Sequence, residues 1–311
     1  MKDKLVIILG PTASGKTDLS IAIAQALNGE IISGDSMQVY RKMDIGTAKI
    51  TESEQKGIVH HLINIINPDQ EYSVADFKKA SQKLIKEINH RGKLPIVVGG
   101  TGLYISSLVN PYLFPQKSSK DEQLRSRLQE EYQKDRQALY QRLQQIDPQA
   151  AQKIHPNDGH RLVRALEVYE KTGQTISRIQ AESQKLSFPC YKMVMIGLSF
   201  ERTKLYQRIN QRVDLMIEAG LVEEVERLLA QGYNLNQQAM QGLGYKQIAR
   251  YLLGEMSLET AITELKRDTR RFAKRQITWF KRDQRIKWFD IELPDLKEAV
   301  ISEIRRDIGE D

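Results

Sequence analysis

The octapeptide Gly10-Pro11-Thr12-Ala13-Ser14-Gly15-Lys16-Thr17 constrains this chain more than any other stretch. It follows the apolar run Leu5-Val6-Ile7-Ile8-Leu9 and leads into Asp18-Leu19-Ser20-Ile21-Ala22-Ile23-Ala24, where residues of helical spacing take over. A buried strand, a glycine-rich turn and a helix in that order form a phosphate-binding loop. Its glycines let several backbone N–H groups converge on one phosphate chain. The helix N-terminus adds its positive dipole end, Lys16 a point charge, and Thr17 a hydroxyl suited to a magnesium ion. A strand of this kind belongs in a parallel sheet, so the expected fold is α/β: a P-loop NTPase-like parallel sheet flanked by helices.

The 311 residues are enough for one large domain or two. No apolar run reaches the ~20 residues that a bilayer crossing needs, and the first strand begins too early for a signal peptide, so a cytoplasmic protein is expected. The single cysteine, Cys190, rules out an internal disulfide and a multi-cysteine zinc site. The net charge of +7 suits a polyanionic partner only if the cations are clustered.

Along the chain, Glu30-Ile31-Ile32-Ser33 reads as a second strand ending at Gly34-Asp35-Ser36-Met37-Gln38-Val39-Tyr40. Ligands gather beyond the carboxyl ends of parallel strands, so Asp35 is expected to face the phosphate loop across a crevice. His61-Leu62-Ile63-Asn64-Ile65-Ile66 reads as a third strand and residues 73–91 as a helix with Ser73 as N-cap. His60 and His61 have no partners at metal-ligand spacing. Leu94-Pro95-Ile96-Val97-Val98 is a fourth strand, closed by Gly99-Gly100-Thr101-Gly102-Leu103-Tyr104. Many phosphate-loop NTPases end a strand like this in a magnesium-holding aspartate. Its absence here argues against routine ATP hydrolysis.

From residue 116 to 184 the sequence turns rich in Gln, Arg, Lys and Glu, with Leu124, Leu128, Leu139 and Leu143 at helical spacing. We read residues 115–187 as an inserted helical domain and 1–114 with 188–311 as the α/β core. Within the insert, Arg161 and Arg164 lie one turn apart. Two such arginines can embrace a pyrophosphate or stay solvated, and spacing alone does not choose. After a strand at 191–198, helices are expected at 202–218, 222–231, 245–253 and 257–282, then a strand at 286–289 and a helix at 296–308. The segment 266–285 holds nine Lys or Arg against two acids. Helical spacing places Leu265, Phe272 and Trp279 on one packing stripe, opposite a cationic rail of Arg267, Arg270, Lys274, Lys281 and Arg285 suited to phosphate backbones.

These motifs together resemble those of the bacterial tRNA dimethylallyltransferase (tRNA isopentenyltransferase) family: the phosphate loop, Asp35-Ser36-Met37-Gln38-Val39-Tyr40, Gly99-Gly100-Thr101-Gly102-Leu103-Tyr104, Arg161-Leu162-Val163-Arg164-Ala165-Leu166-Glu167, Gly244-Tyr245 and Lys274-Arg275-Gln276-Ile277-Thr278-Trp279. The resemblance covers almost the whole chain in order. It implies transfer of a dimethylallyl group from dimethylallyl diphosphate to the exocyclic N6 amine of the adenosine immediately 3′ of the anticodon in tRNA, with diphosphate leaving. It implies that residues 10–17 hold the diphosphate with Mg2+ at Thr17, alone or with Asp35. Asp35 is then the general base, and Thr101, Lys16 and Thr17 complete the catalytic set. The target base has to be turned out of the anticodon loop to reach Asp35. Contacts to the tRNA anticodon stem-loop are implied for Asp35, Ser36, Met37, Gln38 and Thr101. They are implied for Arg125, His160, Arg161, Leu162, Val163 and Arg164 in the insert. The C-terminal half contributes Gln241, Gly242, Leu243, Gly244, Tyr245 and Lys246, a loop that departs from the family's common arginine-and-cysteine version. It also contributes Lys274, Arg275, Gln276, Ile277, Thr278, Trp279, Phe280 and Lys281. A monomer acting without a membrane is expected.

Three other readings compete. An adenylate isopentenyltransferase would run the same chemistry on free nucleotide but has no use for a basic helix or an inserted arm. A small-molecule kinase of the shikimate type pairs a phosphate loop with an acid after the second strand but would be shorter. A non-catalytic RNA-binding protein has no need of an intact loop or of Asp35.

Overall fold

Val6, Ile7, Ile8 and Leu9 have no solvent-accessible surface, nor has Leu5 before them. A strand apolar at consecutive positions needs cover on both faces, and only the centre of a parallel sheet between helical layers supplies it. In the computed structural model, which describes residues 2–112, 121–185 and 191–309, that strand, β1 (Lys4–Leu9), is an inner strand of a six-stranded sheet. The other strands are β2 (Gly29–Ser33), β3 (His60–His61), β4 (Leu94–Gly99), β5 (Lys192–Ser199) and β6 (Ile286–Asp290), in the spatial order β3-β2-β4-β1-β5-β6. Every pairing is parallel, with Leu9 opposite Gly99 on one side and Gly197 on the other. The expected P-loop-like α/β fold is the one observed.

The chain forms two compact units, residues 1–108 with 190–311, and residues 109–189. The first contains the sheet with α1 (Lys16–Ala26), α2 (Glu52–Gln55), α3 (Val74–His90) and all but the last residue of α4 (Gly102–Val109). The second is built from α5 (Glu122–Lys134), α6 (Arg136–Ile146), α7 (Pro148–Ala151), α8 (Gly159–Thr172) and α9 (Ile176–Ser183). It has its own core, in which Leu128, Leu139, Leu143, Leu162 and Leu166 meet. The expected junctions at 114/115 and 187/188, and Cys190, lie outside the described residues. The first unit resumes with α10 (Arg202–Glu218), α11 (Leu221–Ala230), α12 (Tyr245–Leu252), α13 (Leu258–Phe280) and α14 (Leu296–Ile308). Among the described residues no helix is long and apolar enough to cross a membrane.

Two local expectations are corrected. The third strand is only His60–His61, because Leu62 and Asn64 adopt left-handed backbone (φ 62° and 56°) and break the extended run. His61 has a structural place: its Nε2 lies 2.7 Å from the buried Glu30, which Arg91 and Lys93 also contact. The basic helix ends at Phe280, five residues before Arg285, and its packing face is not the expected stripe. Ala261, Leu265, Ala273, Gln276 and Phe280 are buried, whereas Trp279 is 45% exposed. Helix α3, in contrast, starts as its sequence requires: Ser73 accepts from the Asp76 N–H while Asp76 accepts from the Ser73 N–H, a closed capping box.

Candidate active site

The carboxyl ends of β1, β2 and β4 open into a cleft of 820 Å3 within the first unit. Residues 12–17, Asp35 to Gln38, Gly99 to Thr101, and part of the 241–243 loop all line it, so four motifs scattered along the sequence converge there. Arg208, Arg212, Arg275 and Gln276 line it as well.

The loop is shaped by its two left-handed residues, Ala13 (φ 63°) and Gly15 (φ 74°), the latter acting as N-cap of α1. At Gly10 a Cβ would come within 2.7 Å of Ser14 Oγ, so any side chain there would have to displace the Ser14 hydroxyl. Lys16 Nζ donates to Pro11 O (2.6 Å) and Ser14 Oγ (3.3 Å), folding back on its own loop. Burial, and then the charge of Arg212, lower its pKa to about 7, with Asp35 pulling the other way. Arg212 is itself lowered by burial and supported by Asp35. Arg208 Nε donates to Ala13 O (3.1 Å). Two cations thus face each other in a partly desolvated cleft, with one carboxylate to offset them.

Asp35 sits in an Asx turn, its Oδ1 accepting from the Met37 N–H (2.8 Å). Its Oδ2 has no hydrogen-bond partner among the described residues. Ser33 Oγ accepts from the Asp35 N–H (3.4 Å) and donates to Gln38 Oε1 (2.9 Å). Thr101 accepts from the Ser36 N–H at 3.2 Å, which ties the β4 turn to the segment after β2. Thr17 is exposed at the start of α1. Among the described residues no group of three or more His, Cys, Asp or Glu side chains could hold a metal by itself. A hydroxyl and a carboxylate in one cleft suit Mg2+, which keeps waters and binds through one or two protein oxygens plus substrate phosphates.

The expected tRNA contacts separate into exposed and interior side chains. Gln241, Lys246, Lys274, Arg275, Thr278 and Lys281 are exposed, and none of Lys274, Arg275, Lys281 or the neighbouring Arg282 has an acidic partner among the described residues. Of the remainder of the expected cationic rail, Arg267 and Arg285 are paired with acids and Arg270 keeps its charge while held by an amide. Arg267 and Arg271 meet Asp268, Arg270 donates to Asn210 (2.6 Å), and Arg285 pairs with Asp283 (2.6 Å). Tyr245, Gln276 and Phe280 are buried, and the Trp279 indole packs over Gly102. The Tyr245 hydroxyl donates to Glu224 Oε1 (2.6 Å). Glu224, 4% exposed, also accepts from the N–H groups of Asp44, Ile45 and Gly46 (2.9–3.2 Å). Burial and this carboxylate hold the Tyr245 phenol far above its ordinary pKa. Gly244 (φ 91°) permits the turn that delivers the ring. Gln276 Oε1 accepts from the Thr12 N–H (3.1 Å) and its Nε2 donates to Gly100 O (2.9 Å).

In the second unit, His160 and Arg161 are exposed while Leu162 and Val163 are buried in its core. Arg161 pairs with Asp158 (2.5 Å) and Arg164 with Glu167 (3.0 Å), which Arg125 also approaches at 3.7 Å. Glu167 is fully buried.

Arg208, Arg212 and Glu224 did not stand out in the sequence. The i, i+4 spacing of the two arginines, on the side of the turns that carry Leu205, Ile209 and Val213, is the one signal that could have marked them.

A family model described as "IPP transferase" matches residues 38–283. The chain is 56% identical over 307 residues to a protein of Carboxydothermus hydrogenoformans named tRNA dimethylallyltransferase, covering 97% of this chain and 98% of that one. A crystal structure of the full-length tRNA isopentenylpyrophosphate transferase of Bacillus halodurans superposes with a TM-score of 0.75 at 45% identity, covering 99% and 98% of the two chains. A eukaryotic dimethylallyltransferase acting on tRNA gives 0.81 at 32% identity over 98% of this chain and 78% of its own. With most of its length matched by the family model and a relative 56% identical over 97% of it, this chain belongs to the IPP transferase family.

Proposed function

We propose that the protein transfers a dimethylallyl group from dimethylallyl diphosphate to the N6 amine of the adenosine 3′-adjacent to the anticodon in tRNA. One observation carries this reading: Lys16 and Arg212 confront each other in the cleft opposite Asp35, with no acid at the end of β4. A polyanion relieves the first two, and a base beside them finds a proton to accept. The names of the relatives point the same way.

In this mechanism the phosphate loop, Lys16 and Arg212 hold the diphosphate and stabilise the charge that builds on it as the bond from its oxygen to the allylic carbon breaks. The N6 nitrogen forms the new bond to that carbon. Asp35 Oδ2 takes the proton released from the amine, while the Met37 N–H keeps the carboxylate aimed. Thr101 holds the nucleotide-facing edge of the cleft through Ser36. Thr17, with Asp35 alongside, would hold Mg2+, which when bound adds positive charge on the diphosphate oxygens. The target base is turned out of its stack to enter. The exposed cations Lys274, Arg275 and Lys281 take the RNA backbone, and the second unit, with Arg125, His160, Arg161 and Arg164, forms an RNA-contacting arm on a protein acting as a monomer.

The test is incubation of the protein with labelled dimethylallyl diphosphate, Mg2+ and unmodified tRNA. Label is expected in the tRNA, at the adenosine beside the anticodon. Label in free AMP alone, or in neither acceptor, refutes the reading.

A further inference from the structure

Gln276 lies in the basic helix between Arg275 and Ile277, yet it turns inward and is 6% exposed. Its amide orientation is fixed by chemistry: only the oxygen can accept from the Thr12 N–H, and only the nitrogen can donate to Gly100 O. The Thr12 N–H belongs to the same peptide unit as Pro11 C=O, which accepts from Lys16 Nζ at 2.6 Å. Gln276 therefore holds one end of a peptide plane whose other end seats the lysine. Its second bond fixes that plane to the turn carrying Thr101. The backbone makes room for this: a Cβ on Gly100 would stand 2.1 Å from Gln276 Nε2. No positive φ calls for a glycine at that position.

We propose that Gln276 is a positioning residue that locks the phosphate loop and the β4 turn into one cradle and thereby sets Lys16 for the diphosphate, rather than a contact to RNA. The inference rests on the reading of the loop as a diphosphate seat. If Gln276 acts only through the loop and the turn it joins, its loss acts on donor binding alone.

Five variants test it, with the folded fraction checked by circular dichroism and thermal melting. Gln276→Met keeps the length and removes both hydrogen bonds. The expected result is a rise of about 10-fold in KM for dimethylallyl diphosphate, with KM for tRNA and the salt dependence of tRNA binding unchanged. Gln276→Glu keeps the acceptor for Thr12 but sets a carboxylate against Gly100 O, and should fall between wild type and Gln276→Met only if the Thr12 bond matters. Gly100→Ala should raise the donor KM as Gln276→Met does, by evicting the amide. In a Gln276→Ala background the amide clash is gone and only a 3.3 Å contact with Gly10 O remains, so Gly100→Ala should then change the donor KM far less than it does in the wild-type background. A weaker tRNA affinity with donor KM unchanged would overturn the proposal in favour of an RNA contact, as would effects at 100 and 276 that simply multiply. Calorimetry with free diphosphate separates the two levels. Wild type that takes up no diphosphate removes the loop reading and this inference with it, whereas wild type that binds while all variants match it removes the inference alone.

Discussion

Proton linkage at Lys16 gives the sharpest quantitative test of the cleft. Its amine is held near pKa 7 by burial and by Arg212, against an ordinary value of about 10.4. A diphosphate placed among these cations favours the charged amine and moves the pKa back up. At pH 7 about half of the ligand-free protein carries the proton, and at pH 8.5 only about 3% does. Binding should therefore take up about half a proton at pH 7 and about one at pH 8.5. Donor phosphates are already fully ionised at the higher pH, with a last pKa near 6, and add almost nothing there. If only the charged amine holds the diphosphate, the apparent Kd rises about 15-fold between pH 7 and 8.5. Calorimetric titration of dimethylallyl diphosphate in two buffers of different ionisation heat, at fixed magnesium, measures both quantities. Lys16→Met should abolish the uptake. A proton count near zero at pH 8.5, or a Kd flat across this range, would refute the placement of Lys16 on the diphosphate. The stability effect has a defined sign. With the folded pKa below the unfolded one, the unfolded chain binds more protons between about pH 7 and 10, so Lys16 penalises folding below that window and the penalty lifts as pH rises through it.

Asp35→Ala should lower kcat by about 10²–10⁴-fold while tRNA affinity, measured by filter binding, changes little. Equal losses in both would make Asp35 a binding residue. Glu224→Ala strips a buried acceptor from three backbone N–H groups and the Tyr245 hydroxyl. Chemical denaturation should show a loss of about 2–4 kcal/mol, and Tyr245→Phe, which removes one of the four donors, should lose clearly less.

Sequence and structure agree where a local rule and the tertiary environment ask for the same residue. The apolar run before Gly10 could only be an inner strand, and Ser73 with Asp76 fixed a helix start three residues wide. Disagreement marks places where the environment overrules period. Residues 61–66 look extended, but the left-handed Leu62 and Asn64 turn the chain after two residues. Helical spacing put Trp279 inside and left Gln276 among cations. The structure reverses both, and for Gln276 the cause is one partner in the phosphate loop and one in the β4 turn, which no period can reveal. Arg212 and Glu224 look like ordinary charges on amphipathic helices. Only the meeting of α10 with the phosphate loop, and of α11 with the 44–46 turn, shows what they hold.

The sheet topology has a corollary. Residues 109–189 supply none of the six strands, and the chain leaves after β4 and returns just before β5. Substitution, lengthening or shortening inside the arm therefore leaves every strand register untouched, including those that aim Lys16, Asp35 and Thr101. The segment can thus change in length or composition without disturbing the strands that carry the chemical machinery.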